Sequence, residues 1–232
     1  MKKILEWLGA KFGSVKDAPT TERGSNIDAS ENHAPEDSGL TARAWIVAQT
    51  EADLEVTEVG ALPTPEGLVC MIDPLVFAQP PDFVQVPKEN GRIAVFFDSK
   101  ERRNSKFALI FSDETVAGGD DVGVCAVDAG MASIFTPATH QAMTKFVNEG
   151  GDHFNIYDEY FMEFDEPDGG ERKIVSLPDG TPVPYIHSGW GDGGYPVFTL
   201  NDVNGRVVAI YTDFLGKDER GAWLTPPGVT LS

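Results

Sequence analysis

The chain has 232 residues, which is enough for one large β-rich domain or for a domain with a tail. Its formal net charge of −19 at pH 7 argues against a nucleic-acid partner, because proteins bind phosphates through Lys and Arg. The same charge favours solubility and attraction to a basic partner. No apolar run approaches the roughly 20 residues that a membrane-spanning helix needs, so no transmembrane segment is expected.

Residues 1–13, MKKILEWLGAKFG, predict a short amphipathic helix. Glu6 and Lys11 interrupt what would be the apolar part of a signal peptide, so we expect the protein to be cytoplasmic. The helix either docks on its own domain or frays, or it makes weak contact with a membrane surface. The second alternative depends on its lysines, which favour anionic lipid.

Three further segments follow from composition. Residues 14–41 are rich in polar residues and proline, which predicts a flexible linker. Residues 42–216 form the predicted single β-rich domain, and residues 217–232 form a tail.

Within the domain, residues 42–60 predict one strand, followed by a short segment whose secondary structure the sequence does not assign. Apolar runs between turn residues predict further strands, with GGDD at residues 118–121 as a turn and Asn204-Gly205 as a hairpin turn with both residues at positive φ. The principal strands are predicted at residues 68–72, 91–98, 106–112, 122–127, 197–200 and 206–211.

The two cysteines, Cys70 and Cys125, each lie inside one of these apolar runs. Free cysteines behave as small hydrophobic residues in protein cores, so we expect both to be buried and not joined in a disulfide. They form no CxxC pair and give no zinc or redox signature.

One principal helix is predicted near residues 137–148, where apolar residues recur at helical spacing. Thr136 is a suitable N-cap, Pro137 suits the first helical position, and Gly150-Gly151 ends the helix. The predicted fold class is therefore α+β, with a mainly antiparallel sheet and one principal helix.

A second kind of segment, residues 152–171, mixes aromatic and acidic side chains. If it is a docking surface, its aromatic residues provide anchors among carboxylates that attract a basic partner. If it is ordinary core, the carboxylates only keep the segment soluble. The candidate binding residues are Tyr157, Asp158, Glu159, Glu163 and Glu166.

The glycine-rich stretch SGWGDGGYP, residues 188–196, is either a packed corner or a site. Its binding candidates are Trp190, Asp192 and Tyr195, although such aromatic residues more often pack a corner than form a ligand platform.

Several carboxylates end apolar segments and could either cap turns or converge on a site. The catalytic candidates are Asp128, Asp192 and His187, which could serve as acid and base or hold a divalent cation. Asp73 and Asp213 are interpreted as turn caps, which accept backbone N–H groups. No GxSxG, P-loop, HExxH or EF-hand motif is present, and no cofactor is expected apart from that cation.

The order of these motifs resembles the bacterial domain-of-unknown-function 4241 family over roughly residues 59–215. The family's recurring elements are DPL, VDAG and SGWGDGxYP, followed by a final strand that ends in DF. The matching positions are Asp73-Pro74-Leu75, Val127-Asp128-Ala129-Gly130, Ser188-Gly189-Trp190-Gly191-Asp192-Gly193 with Tyr195-Pro196, and Asp213-Phe214. The acidic-aromatic segment and the long N-terminal extension have no counterpart in that pattern.

The resemblance implies a domain identity but no activity, so function is inferred from the residues. The favoured hypothesis is a non-enzymatic acidic binding protein that engages a basic protein partner, similar to the immunity proteins of toxin systems. The alternative is a metal-assisted hydrolase with its site at the glycine-rich loop. A structural role, as a phage or surface component, is a third hypothesis.

Overall fold

The computed structural model describes residues 38–48, 54–77, 81–151, 155–159, 161–163 and 172–214, without the side chains of residues 159, 163, 172 and 173. The helices are α1 (Ala42–Ala48), α2 (Pro137–Gly150) and α3 (Ile156–Glu159), with a 3-10 turn at Phe161–Glu163. The strands are β1 (Leu54–Pro63), β2 (Leu68–Ile72), β3 (Val84–Gln85), β4 (Asn90–Asp98), β5 (Arg103–Ile110), β6 (Gly118–Val127), β7 (Met131–Phe135), β8 (Arg172–Ser176), β9 (Pro182–His187), β10 (Gly193–Asn201) and β11 (Val207–Asp213).

The strands form two antiparallel sheets. Sheet A has six strands in the order β1-β4-β5-β11-β10-β6, and sheet B has five in the order β3-β2-β7-β9-β8. Every pairing between neighbouring strands is antiparallel. The predicted α+β class with a mainly antiparallel sheet is therefore confirmed.

The two sheets pack face to face, and alternation along each strand decides which side chains lie between them. In β4, Ile93 and Val95 belong to the apolar cluster that strands of both sheets share. Ala94 and Phe96, on the opposite face, belong to a cluster that contains Trp45 of α1. Sheet A is thus covered by sheet B on one face, and α1 covers part of the other face, over β4, β5, β10 and β11.

The outer face of sheet B is covered by helices. Phe135 of β7 and Tyr185 of β9 share an apolar cluster with Met143 of α2 and Ile156 of α3. The layers therefore run from α1 through sheet A and sheet B to α2 and α3.

Helix α2 confirms its predicted start and end. The N–H of Thr139 donates to the Thr136 hydroxyl at 3.1 Å, which satisfies one of the free donors of the first turn. Pro137 occupies the first turn, and Gly151 caps the C-terminus with φ of +80°.

Helix α1 corrects the prediction that the stretch at residues 42–60 begins with a strand. Ala42, Trp45 and Ile46 are buried on one helical face and pack on sheet A, while Thr41 accepts the Ala44 N–H at 3.4 Å. Only the later part of that stretch, β1, is extended.

Three smaller predictions are also corrected. The predicted turn at residues 118–121 is the beginning of β6, and β7 is a strand that the apolar pattern did not predict. In the β10–β11 hairpin, Gly205 has φ of +75°, but the described non-glycine residue with positive φ is Arg102 and not Asn204.

Both cysteines are free and buried, as expected, and burial raises the pKa of the Cys70 thiol to about 12. The end of the predicted linker pairs with the domain, because the Ser38 N–H donates to the Val116 carbonyl at 2.9 Å. The predicted N-terminal helix, most of the linker and the tail lie outside the described residues. None of the helices in the described part of the chain has the length and apolarity needed to cross a membrane.

Candidate functional site

The glycine-rich loop joins β9 to β10 and is closed by hydrogen bonds to one of its own carbonyls. The Ser188 hydroxyl donates to the Gly191 carbonyl at 2.6 Å, and the Tyr195 hydroxyl donates to the same oxygen at 2.9 Å. Gly191 has φ of +77°, which glycine adopts without strain. The loop is therefore an ordered corner with a fixed shape.

Tyr195 is part of that corner and not an exposed platform. Its ring is buried and meets Phe214 edge to face, with centroids 4.9 Å apart. Burial raises the pKa of the Tyr195 hydroxyl, and the negative charge of Asp192 adds to that shift. The hydroxyl thus stays protonated at neutral pH and keeps its donated hydrogen bond.

Trp190 behaves in the opposite way. The residue is 61% exposed although it belongs to an ordered corner. The Arg103 guanidinium lies over the ring at 4.3 Å from its centroid, and its Nη1 reaches the Gly189 carbonyl at 3.5 Å. This cation–π contact orders the indole while leaving much of it in solvent.

Asp73 ties the end of β2 to the segment that follows β6. Its Oδ1 accepts the Leu75 N–H at 2.8 Å, and its Oδ2 accepts the N–H groups of Asp128 at 2.9 Å and Ala129 at 2.7 Å. The carboxyl is fully buried, and this burial raises its pKa despite the three donors. The interpretation of Asp73 as a turn cap is correct.

Asp128 and Asp192 lie next to each other at one end of sheet A. Val127 pairs with Gly193, so the antiparallel register places the two aspartates opposite each other one step beyond the paired strands. Both residues are exposed, and Asp192 Oδ1 accepts the Gly130 N–H at 3.1 Å. The structure thus brings together two of the three predicted catalytic residues.

His187, the third, lies at the end of β9 opposite Met131 and is half-buried. Its carbonyl accepts the side-chain amide of Asn104 at 2.8 Å. Within the described residues, no three His, Cys, Asp or Glu side chains are grouped so that they could hold a metal ion. The geometry therefore adds no support to the hydrolase hypothesis.

The acidic-aromatic segment is anchored to sheet B. Phe161 is fully buried against Tyr185, with ring centroids 5.1 Å apart, and Tyr157 is half-buried. Asp158 is exposed and accepts the Asn155 amide at 2.7 Å. The side chains of Glu159, Glu163 and Glu166 lie outside the described part of the structure.

Two contacts of β5 escaped the sequence interpretation. Arg103 reaches the loop from 86 positions away, and Lys106 forms a buried ion pair with Asp213 of β11. Asp213 and Lys106 face each other directly in the register of sheet A. A lysine inside the apolar run KFALIF was the available signal for a buried partner carboxylate.

The arrangement is suited to binding. It presents an ordered indole on the same loop as the exposed Asp192, with the exposed Asp128 next to Asp192. The hydroxyls of Ser188 and Tyr195 hold the loop, and Asp73 holds the backbone of Asp128 and Ala129.

Residues 94–212, just over half of the chain, match the family model described as "Protein of unknown function (DUF4241)". The matched range includes Arg103, the Asp128 segment and the whole glycine-rich loop, but not Asp73 or Asp213. No curated protein and no solved structure matches the chain. The expected family is thus confirmed over a shorter range than the motifs indicated: the chain belongs to the DUF4241 family.

Proposed function

We propose that this protein is a non-enzymatic binding protein that engages a basic protein partner through the Trp190 loop and the carboxylates beside it. The observation that carries the proposal is the 61% exposure of Trp190 on a loop whose shape is fixed by hydrogen bonds. An exposed tryptophan held in one position loses little conformational entropy on binding.

The surroundings of Trp190 favour a cationic partner. Asp128 and Asp192 are exposed at the same end of sheet A, and the net charge of −19 would accelerate encounter with a basic protein. Tryptophan is frequent among the few residues that dominate binding energy. One face of the Trp190 ring is already covered by Arg103, so the attraction for the partner's Lys or Arg comes from the two carboxylates and from the free part of the ring.

The proposal includes a location and a role. Two free, buried cysteines suit a reducing compartment, so the proposed location is the cytoplasm. The proposed role is immunity-like, in which the protein binds and occludes a basic toxin. The acidic-aromatic segment, in which Asp158 is exposed, is proposed as a second region that attracts the basic partner.

The test is capture of partners from a lysate of the native cells by the full chain and by Trp190→Ala. Val203→Ala is the matched control, because Val203 is also an exposed apolar residue, at the β10–β11 turn. We expect the parent and the control to retain one stoichiometric basic protein, and Trp190→Ala to bind it at least about tenfold more weakly. Equal capture by Trp190→Ala, or no stoichiometric basic protein at all, would contradict the proposal.

A further inference from the structure

Strand β6 is an edge of sheet A. Among the described residues it pairs with β10 on one side and with no strand on the other. An edge strand offers unpaired backbone N–H and C=O groups, onto which an extended chain can add as a further strand.

The opposite edge of sheet A is protected in a way that β6 is not. Strand β1 carries Glu55 and Glu58 and ends at an exposed proline, Pro63, and charges and proline are common means of blocking strand addition. Gly60 of β1 also lies against Ile174 of β8, so the edge of sheet B approaches it. The carboxyl-terminal half of β6 contains neither proline nor a charged residue.

That half is also the exposed, regular part of the strand. A register shift at residues 121–123 separates it from the first half, and Val124 and Ala126 then alternate with the buried Cys125 and Val127. Val124 is 65% exposed. An added strand would therefore find about five regular backbone positions and an apolar side chain to pack against.

The segments that contain β6 and its neighbour β10 carry carboxylates and no side chain with a permanent positive charge. Residues 107–144 contain no Lys or Arg, and neither do residues 174–205, which include the neighbouring strand β10. Asp120 and Asp121 precede the regular half of β6, and Asp128 follows it. A segment that adds here meets carboxylates at both of its ends.

We propose that β6 accepts an extended segment of the partner that carries Lys or Arg, as an added strand of sheet A. The inference rests on the proposed function in taking a basic protein as the partner, and it adds the mode of binding. A second copy of this chain is a poor occupant, because each copy carries a net charge of −19.

The probe is a synthetic peptide of alternating Lys and Val residues, added to the full chain at low salt. A second peptide of the same sequence is N-methylated at two adjacent central residues, so that neither of its edges can form the full set of backbone hydrogen bonds. Val124→Lys places a positive charge on the edge, and Ala61→Lys makes the same charge change on the exposed surface of β1.

We expect the first peptide to slow exchange at least tenfold for the amides of residues 123–127 that face away from β10, and the N-methylated peptide to bind at least tenfold more weakly. Val124→Lys should lose binding to a similar extent, whereas Ala61→Lys should stay within about twofold of the parent. Circular dichroism of the two variants, which alter exposed residues alone, verifies that both remain folded.

Equal binding of the two peptides, protection elsewhere than β6, or failure of the first peptide to bind would overturn the inference. So would outward-facing β6 amides that are already protected from exchange in the free chain, since the chain itself would then fill the edge. The capture experiment with Trp190→Ala tests the proposed function independently, because binding of a basic partner at the Trp190 loop does not require strand addition at β6.

Discussion

At the scale of single residues, Asp73 links the fold to the candidate site. Its carboxylate holds the backbone of Asp128 and Ala129, which lies beside the glycine-rich loop. Three N–H donors stabilise the charged form, but the removal of the carboxyl from water outweighs them and raises its pKa. The charged Asp73 is therefore less favourable in the folded chain than in the unfolded chain.

Because the pKa of Asp73 is raised in the folded chain, the effect of Asp73→Asn on stability should depend on pH. Above the ordinary pKa of 3.8, the unfolded chain has released a proton that the folded chain still holds. The contribution of Asp73 to stability is thus complete below that pH and declines as the pH rises through the raised pKa. Because an amide cannot accept all three N–H groups, we expect Asp73→Asn to lower the free energy of unfolding by about 1–3 kcal/mol.

The measurement is urea unfolding of the parent and of Asp73→Asn from pH 4 to pH 7. The difference in unfolding free energy should be largest near pH 4 and should narrow as the pH rises, because only the parent loses the Asp73 contribution. Other carboxylates titrate in both proteins and cancel in the difference. A gap that widens with pH would show that the folded-state pKa is lowered.

At the scale of elements, helix α2 offers a matched pair of threonines. Thr136 accepts the Thr139 N–H at the N-terminus, whereas Thr144 lies within the helix and donates to the His140 carbonyl. Thr136→Ala should cost about 1 kcal/mol because a buried donor loses its partner. Thr144→Ala should change stability by less than about 0.5 kcal/mol, since alanine favours the helix. Thermal or urea unfolding measures both changes in stability. If the two variants lose equal amounts of stability, the hydrogen bond at Thr136 does not stabilise the start of the helix.

Helix α2 and the core strands could be predicted because their signals are local. Thr136-Pro137 and Gly151 mark the ends of the helix, and runs such as LVCMI stand between turn residues. The sequence does not predict helix α1, because the buried face of the helix consists of only Ala42, Trp45 and Ile46, too few residues to establish a helical period. The glycine pair at residues 118–119 resembled a turn, but β10 pairs with it in the sheet.

The residues of the candidate site could be predicted from the sequence, but their exposure could not. The motif SGWGDGGYP predicts the loop, and the aspartates at the ends of apolar segments predict the neighbouring carboxylates, because glycine clusters and strand-end carboxylates are visible in the sequence. The different fates of Trp190 and Tyr195 were not visible, since they depend on distant contacts. Tyr195 is covered by Phe214, whereas Trp190 is covered only in part, by Arg103 of β5. Strand pairing in sheet A decides both contacts.

At the scale of the whole molecule, the net charge of −19 acts on any partner at long range, whereas specific contact depends on where the carboxylates lie. These two effects can be separated by neutralising equal numbers of carboxylates in different places. The acidic-aromatic segment is the natural subject, because Phe161 anchors it while Asp158 is exposed.

The first variant changes Asp158, Glu159, Glu163 and Glu166 to Asn or Gln. The control changes four exposed carboxylates elsewhere to the corresponding amides: Glu66, Asp82, Glu101 and Glu114. Each variant carries four fewer negative charges, and the control should stay within about 0.5 kcal/mol of the parent in stability, because it alters exposed charges. If the segment is a docking surface, the first variant should associate with the captured basic partner more slowly than the control does.

The measurement is the association rate across a series of salt concentrations. Loss of local attraction should slow association at low salt and flatten its salt dependence, because fewer charge pairs remain to be screened. Equal slowing of both variants would mean that the net charge alone steers the partner. An association rate identical to that of the parent would count against the segment as a docking surface, and its aromatic residues would then serve the core alone, as the burial of Phe161 against Tyr185 already shows for one of them.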